Sequence, residues 1–274
     1  MPPERLTLER FKELVESENP GTHTSDIESL FHKVKPYEKL AYKPVVGDEI
    51  PYDVDSDTLV SKYGGKPYIS ASNPWPRCSE DNCFFFFLFQ LRVSDIPKDQ
   101  LPEGVDIPEG SMIQLFRCCS EDGEDECACD DQEGGHDDQS WVCRMISTTE
   151  PPLISSEYPT PSAEFPCKLL LRFEPYYAFP ALHSIPEPAP TFSAIEMQME
   201  SLEIFNPHGD HVGGYGYWLN LTDLRPCYEC DTPSILLYQI VAYENTDYDF
   251  GDGGCCQILM CPKHPECVQV VWAM

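Results

Sequence analysis

Two stretches of the chain, 149 residues apart, carry matching residues at matching spacing. Gly64-Gly65-Lys66-Pro67-Tyr68 leads to Cys78 and then to Leu88-Phe89-Gln90. Gly213-Gly214-Tyr215-Gly216-Tyr217 leads to Cys227 and then to Leu237-Tyr238-Gln239. In both, 13 residues run from the second Gly to the Cys and 12 more from the Cys to the Gln. Each stretch is followed by an apolar strand closing on cysteine (Met112 to Cys118, Cys256 to Cys261) and by a β-rich segment carrying Trp, around Trp141 and Trp272. A long period with fixed internal spacing predicts a duplicated structural unit. A thiol placed alike in both copies predicts a task that the unit needs done.

The elements around these copies are set by pattern and punctuation. Leu8, Phe11 and Val15 form an apolar stripe that Leu14 widens, and Asn19-Pro20-Gly21 stops it, which predicts a helix. A second helix is expected from Ser25, with Glu28 completing a capping box, burying Ile27, Leu30, Phe31 and Val34 and ending before Pro36. Both helices are expected to form a lid on the first sheet. Strands are expected at Phe84–Val93, Met112–Cys118, Trp141–Ile146, Lys168–Phe173, Ser234–Tyr243, Cys255–Cys261 and Val268–Trp272. Residues 151–190 hold 10 prolines, too many for a helix or a central strand, so this stretch reads as an extended surface connection. A helix is expected over 192–205. The expected fold is α+β, β-rich and internally duplicated. It comprises an N-terminal helical segment (1–60), a first copy (61–150), a Pro-rich connection (151–205) and a second copy (206–274).

Composition narrows the partners. The net charge is -29, from 47 acidic and 18 basic residues. Such a surface argues against nucleic acid and anionic membranes, which call for basic patches, and suits a basic protein partner. Residues 121–138 hold ten of the acidic residues and no Lys or Arg, the pattern of a solvated loop. The longest apolar run, Cys83 to Phe89, is far too short for a membrane span, and no export signal is visible at the start. Fourteen cysteines in that context are expected to be reduced thiols or metal ligands in the cytoplasm, with the nucleus also open.

The second copy offers the sharper metal motif. Cys227-Tyr228-Glu229-Cys230 is a C-x2-C and Cys261-Pro262-Lys263-His264 a C-x2-H; two tight turns of this kind complete a tetrahedron of the structural zinc type, closed to water. Cys267 could stand in for His264. The first copy offers Cys78 and Cys83 at C-x4-C spacing and Cys118 at the place of Cys261, with a fourth ligand expected from Cys127 or Cys129. Cys143, Cys167, Cys255 and Cys256 read as core residues within apolar strands. His208, Asp210 and His211 could instead be ligands of a catalytic metal or an acid/base pair, the enzymatic alternative, although a polar loop before a turn accounts for them. The paired glycines read as turns needing positive φ, and Gln90 and Gln239 as side chains satisfying buried backbone groups.

Taken together, Asp210 to Tyr215, the C-x2-C, Leu236 to Gln239, Gly251 to Gly254 and Cys261 to Pro265 resemble the YwqG-like family of intracellular proteins. That resemblance implies a duplicated, β-rich α+β fold and supplies no activity. Gly64 to Pro67, Cys78, Phe87 to Gln90 and Phe116 to Cys119 are more distantly similar to the programmed cell death protein 2 family, which implies chaperoning of a basic small-subunit ribosomal protein. The C-x4-C spacing at Cys78 and Cys83 departs from that family's pattern. The expected function is a non-enzymatic protein-binding module with structural zinc, chaperoning or scaffolding a basic protein.

Overall fold

The computed structural model describes residues 3, 5–18, 20–51, 58–79, 82–103, 107–118, 140–153, 166–182, 185, 205, 209–217, 224–250 and 252–273. Among the described residues two short α-helices precede ten strands. The helices are α1 (Leu8–Glu18) and α2 (Thr24–Val34). The strands are β1 (Lys39–Ile50), β2 (Lys62–Tyr63), β3 (Phe86–Arg92), β4 (Ser111–Arg117), β5 (Trp141–Ser147), β6 (Cys167–Ala178), β7 (His211–Gly213), β8 (Ile235–Val241), β9 (Cys255–Met260) and β10 (Val268–Ala273). All ten join one antiparallel sheet in the order β10-β9-β8-β7-β1-β6-β2-β3-β4-β5, curled so that it is nearly a closed barrel. The fold is therefore mainly β, not α+β. Among the described residues the α-helices lie only at Leu8–Glu18 and Thr24–Val34, and strands dominate the rest.

The strand order is symmetric between the two halves of the chain. Exchanging β1–β5 with β6–β10 reverses the order onto itself. The first strand of each half has crossed over: β1 pairs with β7, and β6 pairs with β2. The two long strands also pair with each other, from Lys39↔Ala178 to Ile50↔Cys167, and so hold the centre of the sheet. β1 lies in the segment read as helical, and β6 extends the strand expected at Lys168–Phe173 deep into the Pro-rich connection. Their prolines fit because pairing is one-sided there. β1 meets β7 only at Ala41 and Tyr42, and β6 meets β2 only at Lys168 and Leu169. Pro44 and Pro175 thus lie where one neighbour suffices and the missing N–H can face outward.

One face of the sheet closes on a shared core: Tyr63, Phe89, Leu91, Ile113 and Leu115 from the first half meet Val212, Tyr238, Ile240, Cys256 and Ile258 from the second. Trp141 of β5 stacks on Phe250, ring centroids 6.0 Å apart, tying the two halves together. The opposite face of β3 and β4 is covered by the loop after β2, with Ile69, Trp75, Phe87 and Phe116 in one cluster. Burial on both faces explains why β3, β4, β8 and β9 read as continuous apolar runs rather than alternating ones. Cys143 lies on β5, Cys167 on β6 and Cys255 and Cys256 on β9, the last three fully or almost fully buried, and burial pushes the Cys255 thiol up to about 12.

The helices pack with Phe179, Leu182, Ile185 and Phe205, beyond the end of β6, rather than on the first sheet. The expected capping box does not form. His23 occupies the N-cap without a side-chain bond, Ser25 lies inside α2, and Glu28 instead binds Lys12 of α1 at 2.6 Å. The helix expected over 192–205 and the acidic segment 121–138 lie outside the described residues, Phe205 excepted.

Candidate metal centre

The loop that carries each cysteine turn is fixed at its root by the paired glycines. Gly64, Gly65, Gly213 and Gly214 all have positive φ, between 55° and 71°, as expected of turns that other residues resist. Beneath them, a pair of buried glutamines grips the same backbone in both halves. Gln90 accepts from the Tyr68 N–H at 3.0 Å and donates to the Thr58 and Val60 carbonyls, while Gln114 donates to the Tyr68 carbonyl at 2.7 Å. Gln239 accepts from the Tyr217 N–H at 2.7 Å and donates to the Gly209 carbonyl, while Gln257 donates to the Tyr217 carbonyl at 2.5 Å. Both ends of each loop root are thereby satisfied inside the protein.

The cysteine turns then match bond for bond. The Cys78 N–H donates to the Cys83 carbonyl at 2.8 Å, and the Cys227 N–H to the Thr232 carbonyl at 2.8 Å. Asn82 and Asp231, each donating back to its turn's first carbonyl, take left-handed φ of 55° and 54°. Within the second turn, Cys227 and Cys230 point at the turn after β9, from which Cys261 and His264 point back. The four ligand atoms all lie within 4.8 Å of one another. The sulfurs of Cys230 and Cys261 are 3.7 Å apart, and the Cys227 sulfur is 3.8 Å from His264 Nδ1.

These distances can be tested against an ion. Sulfurs each about 2.3 Å from a zinc ion at the tetrahedral angle stand about 3.8 Å apart, close to the 3.7 Å between Cys230 and Cys261 and far beyond a disulfide of about 2.05 Å. Backbone amides also converge on the sulfurs: Glu229 N–H on Cys227 at 3.4 Å, and Lys263 and His264 N–H on Cys261, both at 3.3 Å. Amide donors favour thiolate, the form that binds metal. Burial alone would push the Cys227 thiol up, yet His264 and the Glu229 amide bring it down to about 6. Cys267 is buried against the same sulfurs, but His264 provides the fourth of the mutually close atoms. The residues present therefore fit a metal ion with three sulfurs and one nitrogen.

In the first half Cys78, Cys83 and Cys118 also bring their sulfurs within 4.8 Å of one another, Cys83 and Cys118 at 3.7 Å. All three are buried. Cys127 and Cys129, the expected sources of a fourth ligand, lie outside the described residues.

Of the residues named for the enzymatic alternative, His208 lies outside the described residues, and Asp210 and His211 are engaged by the protein's own groups. The Asp210 carboxylate accepts from Tyr63 Oη at 2.6 Å, the Val241 N–H at 2.6 Å and Asn245 Nδ2 at 3.0 Å. Tyr63 Oη also meets Tyr238 Oη at 2.6 Å, so a polar triangle sits within the shared core. Burial, and then the nearby Glu244 carboxylate, push Asp210 up to about 7 against the pull of those donors. His211 places its two ring nitrogens 2.8 Å from the Gly209 carbonyl and 2.9 Å from that of Tyr215, and burial takes it down to about 4. A neutral ring donates from one of these nitrogens, and both face backbone carbonyls inside the protein. Sequence reasoning missed the Tyr63–Asp210–Tyr238 triangle, because 147 residues separate Tyr63 from Asp210 and only the crossed strands bring them together.

A cleft of about 440 Å³ opens where Lys39, Asp99 and Gln100 surround Gly213 to Gly216 and the apolar side chains of Leu101, Leu224, Ile235 and Leu236. The Lys39 ammonium lies over the Tyr215 ring, 4.2 Å from its centroid, and Asp99 accepts from Tyr42 Oη at 2.7 Å. Among the described residues no helix is long and apolar enough to cross a membrane.

No curated protein matches the sequence. The model of a domain of unknown function, DUF1963, matches residues 61–264, from just ahead of the first Gly-Gly turn to the last candidate ligand, and the chain belongs to that family.

Proposed function

We propose that this chain is a non-enzymatic protein-binding module with a structural zinc ion, and that its partner is a basic protein which it scaffolds or chaperones. The observation that carries the reading is the set Cys227, Cys230, Cys261 and His264. Four protein ligands fill a tetrahedral ion, so none of its positions is open to a substrate, and zinc of this kind contributes to folding. The ion would staple the loop between β7 and β8 to the β9–β10 turn, holding the surface beside the cleft in one shape. The net charge of -29 supports a basic partner, steered by the field of the whole molecule. Asp99 at the cleft and the apolar side chains behind it suit a basic segment with a hydrophobic anchor.

Membership of the DUF1963 family accords with the YwqG-like resemblance; a basic client is suggested only by the distant sequence resemblance of Gly64 to Pro67 and Phe116 to Cys119 to programmed cell death protein 2 proteins. A reduced, cytoplasmic setting agrees with thiols kept for metal. The two halves are read as products of a doubling, with first strands exchanged between them. The test is recovery of bound proteins by the immobilised full chain at low and high salt. Basic proteins retained at low salt and lost at high salt are expected, because screening shortens the reach of exposed charges to within about 10 Å at 0.1 M. Recovery that is indifferent to salt, or a partner set that is not basic, would refute the electrostatic mechanism.

A further inference from the structure

We infer that Cys78, Cys83 and Cys118 form a second zinc site. The two cysteine turns share their hydrogen bonds and their left-handed residue, which fixes how they correspond. Cys83 occupies the place of Thr232, and the first turn has Asp81 in sequence where the second has Cys230. The thiols of the two clusters are therefore not copied position by position. Only Cys78 and Cys118 match Cys227 and Cys261; the third sulfur comes from a different point of the turn and still arrives at the same place.

A buried cysteine inherited as a core filler has no reason to be replaced in this way. A ligand does, because only the position of the sulfur matters to the ion. Cys83 and Cys118 stand 3.7 Å apart, the separation also found between Cys230 and Cys261. Thiolates in this number suit a borderline-soft ion such as zinc over oxygen-seeking calcium or magnesium. No partner is needed for this: the thiols belong to the first half itself, and the closed site serves as an internal reference.

The experiment uses the full chain purified under reducing conditions and saturated with Zn2+. Zinc per chain is measured by elemental analysis, and release to a chromophoric chelator is followed in time. Two ions per chain are expected, both passing to the chelator. Folded Cys83→Ser and folded Cys230→Ser should each carry one. In case either variant fails to fold, the unaltered chain is titrated with Co2+, whose sulfur charge-transfer absorption should keep rising to two equivalents. That absorption also separates thiolate sites from ions held by surface carboxylates. Saturation of the cobalt band at one equivalent would overturn the inference. So would a folded Cys83→Ser chain that still carries two ions.

Discussion

Gly214 is a point where both halves press on one atom, and Gly214→Ala measures that pressure. A methyl group there would lie 2.8 Å from the Ala41 Cβ and 3.4 Å from the Ala178 Cβ, on a backbone with φ of +69°. Both alanines are fully buried, one on each of the two central strands. Their methyls have no rotamer to retreat into and move only if β1 or β6 moves. Two effects add: roughly 1–2 kcal/mol for a left-handed non-glycine residue and roughly 1–3 kcal/mol for overpacking, or about 2–5 kcal/mol in all. Gly253→Ala is the reference, with φ of +73° and nothing within 4 Å of the added carbon, so only the conformational part applies, about 1–2 kcal/mol. Urea unfolding of both variants at saturating zinc, with unchanged slopes, gives the difference directly. Gly214→Ala should be the less stable by about 1–3 kcal/mol. Equal losses would show that the crossing of the central strands is not the tight contact described, and would refute the reasoning.

Asp210 makes the stability pH-dependent in an unusual direction. Its carboxyl is raised to about 7 in the folded chain from about 4 when unfolded, so the folded state holds the proton more tightly. That contribution is complete below about pH 4 and is lost as pH rises through 7, a change of about 4 kcal/mol across that span. Unfolding followed between about pH 4.5 and 8 should show this fall, and Asp210→Asn should flatten it; an unchanged slope in the variant would exclude Asp210 as its origin. Gln239→Leu removes the partner of the Tyr217 N–H and of the Gly209 carbonyl, so about 1–3 kcal/mol of stability should go, read by thermal unfolding. Cys230→Ser should lower both zinc content and melting temperature, because the energy of structural zinc is folding energy. His211→Ala, which strips the Gly209 and Tyr215 carbonyls of their ring, should cost about 1–3 kcal/mol yet leave zinc content unchanged.

The sequence made some elements plain and hid others for physical reasons. β3, β4, β8 and β9 were legible because burial on both faces leaves runs such as Phe86 to Leu91 and Cys255 to Met260 with hardly a polar interruption. The metal turns were legible because ligand spacing is a local property, fixed within a single turn. β1 was not, since its twelve residues include Lys39, Lys43, Pro44, Gly47, Asp48 and Glu49. It holds the middle of the sheet through pairing with β6, and even its nearest partner in sequence, Cys167 against Ile50, lies far along the chain. No local pattern records such a partner. β6 was half legible: Lys168 to Phe173 carries the strand signal, and Pro175 obscures the rest. The expectation of an α+β fold arose from giving the two N-terminal helices the weight of a layer, when they cover only one end of the sheet.

What fills the barrel decides where function can reside. A barrel of about eight strands has an interior just wide enough for side chains or one small ligand, and here ten strands curl around Tyr63, Phe89, Trp141, Tyr238 and Phe250. Phe89 and Tyr238 have ring centroids 4.7 Å apart across the two halves, and Tyr63 and Phe89 5.0 Å. Such aromatic contact fills the lumen with the protein's own rings. The polar feature among them, the Tyr63–Asp210–Tyr238 triangle, is satisfied by its own members and by Asn245 and Val241. The packed interior leaves the outside, where the Gly-Gly loops cross the sheet, as the surface that the proposed partner would meet. Of those two loops, the second is pinned at its root by Gln239 and Gln257 and at its far end by the Cys227, Cys230, Cys261 and His264 cluster. These anchors hold Tyr215 and Leu224, the described parts of that loop, at the wall of the cleft, the surface on which the proposed binding is to be tested.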